Sequence, residues 1–138
     1  MAHLLFYFRD KYTPEKTFDI IKKAKQKDYV ITAGIFKDLD GLKHVNVYTI
    51  IDVFKVKDEK NKVFDTNKNE NRNLEEVMIT MRNPWAGEEY TGPWNNKDPK
   101  WSPEMKKQIA NMDASIFFLP MSYFLKNFDT FAIAMVED

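Results

Sequence analysis

An α+β domain built around a mostly antiparallel sheet is the fold class that this sequence predicts, and three observations carry it. Two helix-entry signals, Thr13-Pro14-Glu15 and Ser102-Pro103-Glu104, each open a segment of helical period. The segments between and after them are apolar runs bounded by turn residues, which read as strands. The order helix, strands, helix, strands segregates the two kinds of element instead of alternating them as parallel βαβ units would. At 138 residues the chain suits a single domain, 1–138, long enough to bury a real core. It shows no internal repeat.

The elements follow in chain order. Leu4, Leu5, Phe6, Tyr7 and Phe8 form a short apolar strand, a candidate edge for pairing with a partner. In the first helix, threonine caps free amides, proline suits the first helical position and glutamate complements the positive end. Phe18, Ile20, Ile21 and Ala24 then fall near one face, against Lys16, Asp19, Lys22, Lys23 and Lys27 on a solvated one. Tyr29 to Phe36 reads as a strand, Lys37 to Lys43 as a turn around Asp40-Gly41, and His44 to Lys57 as a long strand.

Lys57 to Glu76 is highly polar and reads as an exposed hairpin excursion with Val63-Phe64 as a short anchor. Val77 to Arg82 is a further strand. The long loop behind it carries Trp85, Trp94 and Trp101, too much apolar mass not to fold back on the body. A helix from Ser102 to about Asn111, a strand at Ile116–Leu119, helical turns over Met121–Asn127 and a strand from Thr130 to Glu137 complete the chain.

Composition removes several function classes. Lysine plus arginine and aspartate plus glutamate number 21 each, so no bulk field attracts nucleic acid or anionic lipid. No apolar run approaches the roughly 20 residues of a membrane-spanning helix. The N-terminal apolar run is interrupted by Arg9 and Asp10, unlike a secretion signal. An intracellular, cytoplasmic setting is the expectation. These residues contain no cysteine, so within them there is no disulfide, thiolate or cysteine-bound metal.

Arg82-Asn83-Pro84-Trp85, followed by Thr91-Gly92 and Trp94, is the most specific motif. It resembles the asparagine-proline-tryptophan stretch of calpain-type cysteine proteases, in the second subdomain of their catalytic core. Phe18 to Ala24, Gly41 to Val53, Ile116 to Leu119 with Tyr123-Phe124, and Phe131 to Val136 are similar in order to other parts of that subdomain. The resemblance implies a papain/calpain-like, barrel-like sheet with an N-terminal helix and short peripheral helices. It puts the triad asparagine at Asn83, with Trp85 over it.

The departures shape the functional expectation. The family's nucleophilic cysteine lies in a preceding subdomain that these residues do not include. The family's histidine position falls on Asn46, whose amide cannot serve as a general base. His44 stands two residues earlier and, in a strand, would share its face but lie roughly 6–7 Å away. Calpains also use calcium here. Of the matching positions, Glu89 is retained and Asn96 replaces an aspartate. Met112 would offer only a backbone carbonyl, and Ala114 and Ile116 replace acidic residues, too few oxygens for a hard cation. The Glu88-Glu89 pair reads as solvated.

The resulting expectation is a non-catalytic calpain-like module, a pseudoprotease and not an enzyme. It would serve as a structural or interaction subunit of a larger assembly, cytoskeletal or ciliary. Other protein chains are the expected partners, with no cofactor, nucleic acid, membrane insertion or small-molecule substrate. The alternative is half of a split calpain-like protease, or a regulatory subunit of one.

Overall fold

The computed structural model describes residues 2–8, 13–65, 70–83 and 88–136, with side chains over 13–56, 76–83 and 88–134. Its elements run β1 (Ala2–Phe8), α1 (Pro14–Gln26), β2 (Val30–Gly34), β3 (Tyr48–Asp65), β4 (Glu70–Arg82), α2 (Pro103–Ala110), β5 (Ile116–Pro120), α3 (Met121–Asn127) and β6 (Thr130–Val136). The strands form one six-stranded sheet in the order β1-β6-β2-β3-β4-β5, antiparallel at every pairing. The α+β class therefore holds. The sheet is open and not closed into a barrel, with β1 and β5 as its two edges. Leu4 to Phe8 pair through their backbone with Ala134 to Thr130 of β6, and their side chains lie outside the described part.

Both helix entries form as their caps dictate. Thr13 Oγ1 accepts from the Lys16 amide at 3.2 Å, and Ser102 Oγ from the Met105 amide at 3.2 Å. Asp40 and Gly41, at φ 45° and 84°, make a two-residue turn closed by reciprocal Leu39–Leu42 bonds of 2.9 and 2.8 Å. Paired positive φ angles are what such a hairpin turn requires, and the Asp-Gly dipeptide supplies them.

The polar excursion is a continuation of the β3–β4 hairpin, with Val63, Phe64 and Asp65 paired to Arg72, Asn71 and Glu70. The strand expected from His44 starts instead at Tyr48. Residues 43–47 curl because local groups satisfy their backbone. The Tyr48 hydroxyl accepts from the Lys43 amide at 2.7 Å and donates to its carbonyl at 3.1 Å, and the Asn46 backbone amide bonds the same carbonyl at 3.1 Å.

The pleat sorts the core into two layers. Ile79 and Met81 of β4 and Phe117 and Leu119 of β5 join Ile21, Ile31, Tyr48, Ile50, Phe124, Phe128 and Phe131 under α1 and α3. Met78 and Phe118 point the other way and meet Trp94 and Trp101. The tryptophan loop thus folds onto the sheet. Trp94 and Trp101 lie edge to face at 4.8 Å and Trp101 reaches the Phe118 ring at 5.3 Å, an arrangement that adds to plain area burial. No helix among the described residues is long and apolar enough to cross a membrane.

Candidate functional site: two asparagines on one carboxylate

Asn83 stands directly after β4, held by its backbone amide on the Ser115 carbonyl at 2.8 Å. Asn46 stands two residues before β3 on the curled 43–47 segment. Both are buried, each 4 % exposed. Their amides converge on one atom: Glu88 Oε2 accepts from Asn46 Nδ2 at 2.6 Å and from Asn83 Nδ2 at 2.9 Å. A buried amide must find partners, and a carboxylate gives the stronger, charge-assisted kind of bond.

Glu88 is thus half-buried and bonded, where a solvated pair with Glu89 was expected. Neighbouring side chains on this irregular segment diverge. Glu89 alone faces water and pairs with the Lys97 ammonium at 3.3 Å. Sequence reasoning missed Glu88 because its partner Asn46 is 42 positions away, and nothing local marks the contact.

A turn across the site sets where Glu88 sits. The Thr91 amide bonds the Asp40 carbonyl at 2.9 Å, and the Tyr123 hydroxyl donates to Asp40 Oδ2 at 2.6 Å. Gly41 packs so closely on the Glu89 carbonyl that a Cβ there would overlap it. The 88–91 segment is therefore pinned next to the turn. Burial pushes the Tyr48 phenol up, so Tyr48 stays neutral and keeps both its bonds to Lys43.

His44 takes another direction. It lies on the turn and not on a strand, so the same-face argument does not apply. Its Nδ1 contacts Asp38 Oδ1 at 2.6 Å, and its backbone amide donates to that oxygen at 2.9 Å. The His44 backbone N–H, and after it the ring, hold the Asp38 carboxyl below its ordinary range. Val45 and Val47, on either side of Asn46, are 76 % and 61 % exposed. Trp85 lies outside the described residues.

At the positions matching the family's calcium ligands, Asn96 Nδ2 donates to the Ile116 carbonyl at 3.0 Å. Asn96 Oδ1 is buried without a partner. Among the described residues no group of three or more histidine and acidic side chains gathers as a metal site would. What the Asn46–Glu88–Asn83 cluster can do is hydrogen-bond and position. Neither amide can take up a proton near neutral pH.

The chain matches the model of the calpain family of cysteine proteases over residues 2–135. It is 27% identical to the calpain-2 catalytic subunit of Homo sapiens over 131 residues, 92% of this chain and 18% of the relative. It is 27% identical to that of Bos taurus over 124 residues, 87% of this chain and 17% of the relative. Calpain-8 of Mus musculus is 35% identical over 66 residues, 45% of this chain and 9% of that protein. The chain thus spans less than a fifth of the length of these curated relatives. The expectation that it is not an enzyme is overturned: the matching family is one of proteases, and two of these relatives are catalytic subunits. The missing cysteine is a property of these 138 residues and decides nothing about activity. With the family model covering nearly all of its length, this chain belongs to the calpain family of cysteine proteases.

Proposed function

We propose that this calpain-type domain works as an interaction module that docks onto other protein chains of a larger assembly. Asn46 and Asn83 stand at the family's histidine and asparagine positions. One observation carries the reading: the amide–carboxylate–amide cluster is rimmed by Val45 and Val47, 76 % and 61 % exposed. Exposed apolar side chains around a satisfied polar centre resemble an interface rim and core more than a solvated surface. The cluster's role is then to hold the 43–47 segment in a fixed shape for docking. The open edge at β1 offers a second, backbone-mediated contact. Cytoplasmic filaments or cilia are the setting that this reading proposes.

Native purification with identification of bound chains tests it, together with the double variant Val45→Asp/Val47→Asp. The expected result is a stoichiometric partner that the double variant loses while its melting temperature holds. Elution of the chain alone, or a partner retained by the double variant, refutes the docking face.

A second reading, one half of a split protease, is favoured by one specific observation. The His44 ring is held by a carboxylate at 2.6 Å, the kind of contact that orients a catalytic imidazole. A thiol-reactive peptide probe applied to the purified complex would then label a cysteine-bearing partner, and His44→Ala would abolish labelling. An unlabelled complex sinks this reading.

A further inference from the structure

Calcium takes six to eight oxygen ligands, several of them carboxylate, and the residues at the family's calcium positions do not fit it. Ala114 and Ile116 bring no side-chain oxygen. The Glu89 carboxylate already holds an ammonium, Lys97 Nζ, at 3.3 Å. The Ile116 carbonyl is taken by Asn96 Nδ2 at 3.0 Å. The acceptor left over, Asn96 Oδ1, is one amide oxygen.

We propose that the loop from Glu88 to Trp101 is set by ties that the chain itself supplies, with Lys97 as a built-in cation on Glu89 and the Asn96 amide bridging to the start of β5, so that its shape does not depend on a divalent ion. A bound cation orders a loop by drawing carbonyl and carboxylate oxygens into one shell. In this loop N–H donors have claimed those oxygens one by one. Asn95 Oδ1 accepts from the Lys97 amide at 2.9 Å, and Asn95 Nδ2 donates to the Gly92 carbonyl at 2.9 Å. The Asp98 carboxylate accepts from the Trp94 amide at 3.0 Å and the Lys100 amide at 2.9 Å. Trp101 Nε1 donates to the Asn95 carbonyl at 2.9 Å.

A cation entering here would have to displace several such bonds and the Lys97 ammonium. The surface pair Lys97–Glu89 contributes little by itself, since both side chains are exposed. The Asn96 bridge, with a buried amide, is the stronger tie. Neither depends on the docking partner proposed above, so the isolated chain is enough to test them.

Melting curves in millimolar calcium chloride and in chelator, for the parent, Glu89→Ala and Asn96→Ala, decide the matter. The expected result is a parent melting temperature that agrees within about 1 °C between the two buffers, because nothing binds to shift it. Asn96→Ala should melt lower by the same amount in both. Calcium bound at about a hundredfold its dissociation constant would instead raise the parent by roughly 8 °C. A rise of that kind, abolished in Glu89→Ala, overturns the inference.

Discussion

Glu88→Ala removes the acceptor shared by two buried amides, and its cost can be worked from the geometry. Glu88 Oε2 takes bonds of 2.6 and 2.9 Å from residues each 4 % exposed. A hydrogen bond to a charged group contributes about 1.5–3 kcal/mol. Because the carboxylate is only half-buried, the lower bound suits each bond, which gives about 3 kcal/mol for the pair. For a chain of this length 1 kcal/mol corresponds to about 3 °C, so the melting temperature should fall by roughly 9 °C. Glu88→Gln keeps an oxygen acceptor without the charge and should lose about half as much. Lys106→Ala, on the exposed side of α2, is the control and should stay within about 0.5 kcal/mol of the parent. Calorimetry and urea titration of the three variants give the comparison. If Glu88→Ala melts within about 2 °C of the control, the two asparagines do not depend on this carboxylate and the cluster is not what holds the site.

Two further expectations probe the surroundings of the cluster. Gly41→Ala meets both a φ of 84° and a collision with the Glu89 carbonyl, so it should destabilise by on the order of 2–4 kcal/mol. An unchanged urea midpoint would show that the 88–91 segment is not pinned there. Burial pushes the Tyr90 phenol well up, and burial with the Asp40 bond does the same for Tyr123. Their protonated forms are favoured in the folded chain, so this stability is intact below about pH 10, where unfolded tyrosine titrates, and falls as pH rises beyond it. Urea midpoints at about pH 9 and 11 should drop at the higher value in the parent, and less in Tyr123→Phe. An equal drop in both removes Tyr123 from the explanation.

What could be read from the sequence was what neighbouring residues decide. Thr13 and Ser102 each stand before a proline and a glutamate, and both cap as those neighbours imply. Asp40-Gly41 marks a turn because two adjacent residues must adopt positive φ. The Asn83 motif, read through its resemblance, gave the scaffold. The errors came where distant groups intervene. His44-Val45-Asn46-Val47-Tyr48 alternates polar and apolar residues as a strand does. The Tyr48 hydroxyl and Asp38 instead occupy the backbone groups of Lys43 and His44, and the chain curls. The solvated reading of Glu88 failed for the same reason. Reading the lack of cysteine as a lack of activity extended a fact about 138 residues to relatives of which they cover 17–18%.

The geometry also explains why an asparagine is stable at position 46. A carboxamide buried at 4 % exposure needs an acceptor for its N–H groups, and Asn83, across the site, is another amide with the same need. Two amides alone could satisfy each other only in part. A carboxylate between them meets both needs through one oxygen, provided that the chain bearing it is held in place. That holding falls to the Asp40–Gly41 turn, which takes the Thr91 amide on one side and the Tyr123 hydroxyl on the other. Asn46, Asn83, Glu88 and the turn therefore act as one unit, so their effects should couple. Glu88→Ala made in a Gly41→Ala background should cost clearly less than about 3 kcal/mol, because the carboxylate has already been displaced. Additive losses in that double-mutant cycle would mean that the turn and the cluster are independent, and that the site is held by something else.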